Sequence, residues 1–204
     1  MDVFLALMVL VSYANPPSAV SDLSQACQVF GSTFAAEASS MLQQHRVTGD
    51  CCGKVCAAMK VCGAAFSSPP NDKPASRDAL SQELRNGGCE CGLEKLSNAD
   101  ASAKIMKTVL REWPHADGVK SSELSDEILF ALYVSPESID ILQSNESVYR
   151  DWLGQVSDLS FAGPPERKDA VEAFRKSLCV RLTAVASSGP LVEKLRGITY
   201  RSWD

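Results

Sequence analysis

Apolar positions recur at helical spacing along nearly the whole chain, and no segment alternates as a half-buried strand would. A first helix is predicted over residues 20–45, where Leu23, Cys27, Phe30, Phe34 and Met41 form a stripe and Ser21 or Asp22 can cap the start. A second is predicted from Asp50 to Phe66. At about 100° per residue, Cys51, Cys52, Val55, Cys56, Met59, Cys62 and Phe66 fall within an arc of about 140°, with Lys54 and Lys60 outside it. The cysteines of this helix therefore belong to its apolar face. The prolines of Ser67–Pro74 break the pattern, and a short helix follows over residues 76–85 until Asn86-Gly87-Gly88.

The second half carries longer stripes. Ile105, Met106, Val109, Leu110 and Trp113 mark a helix that Pro114 stops, and Leu124, Ile128, Leu129, Leu132 and Tyr133 mark the next. Ser135-Pro136-Glu137 is a helix-start signal. Val148, Trp152, Leu153 and Val156 form another stripe. After Gly163-Pro164-Pro165, Val171, Phe174, Leu178, Leu182 and Val185 share a face. Gly189-Pro190 is expected to end that helix before a last one over Leu191–Leu195. No fixed period repeats, which argues against a solenoid. The expected fold is all-α: a compact multi-helix domain of about seven to nine helices, its N-terminal half cross-linked by disulfides.

Cysteine placement changes the picture most. The chain has eight, and all but Cys179 fall between Cys27 and Cys91: Cys27, Cys51, Cys52, Cys56, Cys62, Cys89 and Cys91. An even count behind an apolar N-terminus suggests an exported, oxidised protein. Val3–Val11 is an unbroken apolar run, far below the roughly 20 residues that span a bilayer, and Ser12-Tyr13-Ala14 supplies small residues before a cut. Residues 1–14 are read as a signal peptide, although Asp2 replaces the usual basic residue there. Residues 15–204 are read as one helical domain, with a cysteine-rich half over 15–95 and a cysteine-poor half over 96–204. No other stretch reaches transmembrane length, so the mature chain is expected to be secreted. Asn145-Glu146-Ser147 is an N-glycosylation sequon and agrees with export.

On a helix, neighbours Cys51 and Cys52 face about 100° apart, so each suits a different disulfide partner. All eight cysteines are candidates, and even parity would have Cys179 tie the long late helix back to the cysteine-rich half. Three alternatives stand beside this framework. Zinc binding lacks the paired C-x2-C knuckles, and neither His45 nor His115 has ligand spacing to a cysteine cluster. Thiol–disulfide chemistry lacks C-x-x-C, although Cys51-Cys52 opens a helix and Cys89-Glu90-Cys91 lies in a turn. Buried reduced thiols would require the N-terminus not to be a signal. No metal site or cofactor is predicted.

A doublet followed by C-x-C, here Cys51-Cys52 and Cys89-Glu90-Cys91, resembles the order in plant lipid-transfer proteins. One cysteine rather than two precedes the doublet and two more stand between, so no residue roles carry over. Cys52 and Cys62 give one of the two spacings of twin C-x9-C proteins and no second. The net charge of −5 is mild and the basic residues are scattered, against nucleic acid or an anionic membrane as partner. Trp113-Pro114-His115-Ala116-Asp117 sets a histidine near a carboxylate, but no G-x-S-x-G, H-E-x-x-H, P-loop or G-x-G-x-x-G accompanies it. The reading is a secreted binding protein with an unknown protein partner, not a catalyst. Aromatic residues near element ends (Trp113, Tyr149, Trp152, Tyr200 and Trp203) are its candidate anchors. The alternatives are an extracellular carrier of a small apolar ligand or lipid, and a thiol-redox or hydrolytic enzyme.

Overall fold

The structure, a computed structural model, describes Cys27, residues 49–62, Gln82, Asn86 and residues 97–202. The predicted signal peptide, the 67–74 break, most of the 20–45 and 76–85 helices, Cys89, Cys91 and Trp203 lie outside the described residues. Within them the chain is helical almost throughout, as the periodicity predicts. The helices are α1 (Gly49–Cys62), α2 (Asn98–Glu112), α3 (Gly118–Val134), α4 (Ile139–Gln143), α5 (Glu146–Gln155), α6 (Lys168–Thr183) and α7 (Gly189–Gly197).

Local chemistry sets the boundaries. Ser97 caps α2 in a reciprocal box: Asp100 N–H donates to Ser97 Oγ at 3.1 Å, and Ser97 N–H donates to the Asp100 carboxylate at 3.3 Å. The hydrogen bonds from Ser97 hold the Asp100 carboxyl below its usual range. Pro114 turns the end of α2 into a 3-10 turn over Trp113–His115. Asp117 caps α3 by accepting from Lys120 N–H at 3.0 Å. Ser135 precedes a 3-10 turn over Pro136–Ser138 that leads into α4, its hydroxyl donating to the Glu137 carboxylate at 2.9 Å. Gly189-Pro190 corrects a boundary: the pair opens α7 instead of ending α6. Proline lacks an N–H, and the first helical turn is where none is needed.

The core is one cluster assembled in sequence order. α1 packs on α2, α2 on α3, α3 on α6, and α6 on α7, with α4 and α5 packed together at the side of α2. Ile105, Met106 and Val109 of α2 meet Leu124, Ile128 and Leu132 of α3 in this cluster. Tyr133 stacks on Phe174 with ring centroids 4.8 Å apart, and Phe161 approaches Phe174 at 6.5 Å. Ser102 Oγ donates to Ala131 O at 2.6 Å and lies 2.7 Å from Ser138 Oγ. A hydroxyl has one hydrogen, so Ser138 must be the donor in the second bond.

Helix C-termini leave carbonyls without intrahelical partners. Here long basic side chains serve four such carbonyls at three helix ends. Arg175 donates to Leu195 O on α7 at 2.8 Å. Arg181 donates to Val134 O on α3 at 3.4 Å while its guanidinium sits 5.2 Å from the Tyr133 ring centroid. Lys194 reaches Leu153 O and Gly154 O on α5. Each cation also opposes the negative end of a helix dipole.

One strand element escapes the helical pattern. Ala162–Gly163 (β1) pairs in parallel with Arg201–Ser202 (β2). Tyr200 Oη donates to Pro164 O at 2.5 Å beside this pair. A Cβ on Gly163 would stand 3.3 Å from that hydroxyl, so the close approach favours glycine.

Candidate functional site

The most unusual chemistry among the described residues is a charge cluster where α1, α2 and α3 meet. Lys54 projects from α1 and is wholly buried. Its Nζ lies 2.9 Å from Glu127 Oε2 of α3 and 3.2 Å from Glu112 Oε2 at the end of α2. Glu127 is only 1% exposed, whereas Glu112 is 25% exposed. Lys120, in the first turn of α3, continues the chain of charges toward solvent, 3.9 Å from Glu112 and 3.4 Å from Glu123.

Placing Lys54 outside the apolar arc of its helix did not foresee this burial. Lys54, Val55, Cys56, Ala57, Ala58 and Met59 are all 3% exposed or less. The helix is enclosed on its whole circumference there, so its sides are not divided between core and solvent. A lysine that loses its water in this way must be paired. Two carboxylates from two other helices do so, and the cluster ties the cysteine-bearing helix to the cysteine-poor half.

Asp126, next to Glu127 on α3, has its carboxyl pushed up to about 7. Loss of solvent dominates, Arg167 opposes it, and the nearby Glu123 charge adds to it.

The predicted cysteine sites divide. Cys27 and Cys56 are buried, and each takes part in a disulfide. Cys51, Cys52 and Cys62 lie on α1. Cys179 departs from the expected pairing: it is a half-buried free thiol on α6. The main neighbours of α6 are α3 and α7, not the cysteine-bearing α1. Burial pushes the Cys179 thiol up, against the opposing charges of Arg175 and Arg196. A thiol in that state is a poor nucleophile near neutral pH.

His115 is exposed in its 3-10 turn, and Asp117 spends its carboxylate on the α3 cap. His45 lies outside the described residues. Two proposed aromatic anchors are core residues: Trp113 is 5% exposed and Trp152 is 0% exposed. Their indole N–H groups are satisfied within the fold, Trp113 by Asp151 Oδ2 at 2.7 Å and Trp152 by Ser125 Oγ at 3.0 Å. Tyr149 and Tyr200 are half-buried. Asn145 sits at the N-cap of α5, where its side chain accepts from Val148 N–H at 3.3 Å.

Sequence reasoning overlooked Glu127, which stands in the polar triplet Ser125-Asp126-Glu127 yet lies three residues from Leu124 and four from Ala131, on their face of the helix. A charge at a core position of a stripe signals a buried partner, and Lys54, enclosed by Cys52, Val55 and Cys56, is the matching signal. No helix of the described residues is long and apolar enough to cross a membrane. No family model, curated protein or solved structure gives a significant match to this chain.

Proposed function

We propose that the chain is exported and acts as a disulfide-stabilised helical scaffold that binds a protein partner. The observation that carries this reading is the oxidised state of Cys27 and Cys56, both buried in the helical core. Disulfides persist in exported compartments and are rare in a reducing cytosol. The apolar leader over residues 1–14 and the remaining cysteines of the first half agree with it. In this reading the N-terminal half is cross-linked around α1, and the Lys54 cluster transmits that rigidity to the helices behind it. Among the described residues, half-buried Tyr149 and Tyr200 and the exposed Val119 and Val180 are apolar groups within reach of a partner.

The test has two arms. Secretion by a eukaryotic cell should remove residues 1–14, and intact mass should show thiols that become alkylated only after reduction, at most six of the eight, because a free Cys179 leaves an odd number behind it. Retention of the N-terminus with every thiol reactive would reject export. Oxidised protein immobilised against extracellular fluid should capture a partner saturably, and the reduced protein should not. Absence of saturable capture would reject the binding role.

A further inference from the structure

We propose that Asn145 carries an N-linked glycan and that the same side chain goes on capping α5 beneath it, an inference that rests on the export reading. The chain holds five asparagines, at 15, 71, 86, 98 and 145, and Asn145-Glu146-Ser147 is the only one with Ser or Thr two residues on and no proline between. Asn145 lies at the junction of α4 and α5, flanked by the exposed Ser144, Glu146 and Ser147.

The hydrogen bonds fix the orientation of the amide. Oδ1 accepts from Val148 N–H at 3.3 Å and from the Ser147 hydroxyl at 2.9 Å. Both partners are donors, so the oxygen faces the helix and Nδ2 points the other way. Glycosylation uses only Nδ2. The amide nitrogen attacks the anomeric carbon of an oligosaccharide carried on a lipid diphosphate. A C–N bond forms, the anomeric C–O bond breaks, the lipid diphosphate leaves with the electron pair, and Nδ2 gives up one proton. Oδ1 keeps its lone pairs, so the two bonds that start α5 survive. The cap and the sugar therefore occupy opposite ends of one amide.

This division makes the proposal separable from simple helix capping. Asn145→Asp keeps an acceptor of equal capping strength and cannot be glycosylated. Ser147→Ala destroys the sequon and leaves Asn145 to cap, whereas Ser147→Thr preserves both. The full chain would be translated with secretory microsomes, once with its own leader and once behind an independent cleavable leader, then treated with peptide N-glycosidase. The expected result is a single-glycan shift that the enzyme removes, lost in Asn145→Asp and Ser147→Ala and kept in Ser147→Thr. Because the enzyme leaves aspartate at position 145, the deglycosylated wild type is chemically Asn145→Asp; thermal unfolding of Ser147→Ala and Asn145→Asp should instead match that of wild type made without microsomes, which shows that loss of the shift is not loss of fold. No shift behind the independent leader overturns the proposal. A shift behind that leader but not behind the native one supports the glycan site and rejects export instead.

Discussion

Replacing Lys54 by methionine removes the cation from the α1–α2–α3 junction while nearly preserving volume. At 2.9 Å from Glu127, and with an effective dielectric of about 20, the attraction is about 6 kcal/mol. Desolvation of two buried ions consumes several kcal/mol each, so the pair as a whole is close to neutral. Deleting one side is not neutral, because Glu127 stays 1% exposed without the cation that faces it. Lys54→Met should therefore lower the unfolding free energy by about 3–5 kcal/mol. Glu127→Gln should cost less, since Lys54 retains Glu112 at 3.2 Å. The double change Lys54→Met with Glu127→Leu should recover most of the loss and finish within about 2 kcal/mol of wild type on either side. Denaturant unfolding of the oxidised chain measures all three, and the double-mutant cycle isolates the coupling. A Lys54→Met loss under about 1 kcal/mol, or a double variant as unstable as the sum of the singles, would refute the account.

Three further outcomes follow from particular contacts. With the Asp126 carboxyl at about 7 when folded and 3.8 as its reference, the native state binds the extra proton, so stability should fall as pH rises from about 4 to about 7. Asp126→Asn should flatten that slope and gain on the order of 2–4 kcal/mol above neutrality, read from unfolding curves across pH. Ser102→Ala removes the donor to Ala131 O and the acceptor for Ser138, and denaturant melts should show a cost of about 1–3 kcal/mol. Cys179 should alkylate slowly in the native protein and fast in denaturant without reductant, as peptide mapping would show. Cys179→Ser should leave the non-reducing gel pattern unchanged.

The stripes that were legible in the sequence are those with a solvent face. α2 places Ile105, Met106 and Val109 in the core and keeps Lys104, Lys107 and Arg111 outside, so a single wheel describes it. α5 likewise buries Val148 and Trp152. Where a helix is covered all round the wheel loses its meaning, and residues 54–59 are such a stretch. The burial of Lys54 and of Glu127 is hidden from the wheel for the same reason: the sense of a buried charge lies in a partner far away in sequence. The β1–β2 pair left no periodic trace because two residues cannot show a period. Trp113 and Trp152 illustrate a further limit. A tryptophan near a helix end can dock outward or inward, and only the positions of Asp151 and Ser125 show that both indoles point in.

The parallel pairing of Ala162–Gly163 with Arg201–Ser202 gives the C-terminal segment the topology of a ring. α6 and α7 lie between the two strands, and the chain returns to where that segment began. Bringing such distant points together costs about 3 kcal/mol of chain entropy beyond a constant term. A two-residue ladder and one tyrosine hydroxyl bond cannot offset that alone. The ring closes only once α6 and α7 have packed on each other and brought its ends near. The clasp is therefore a late event in folding and the first link to open when the C-terminal helices loosen.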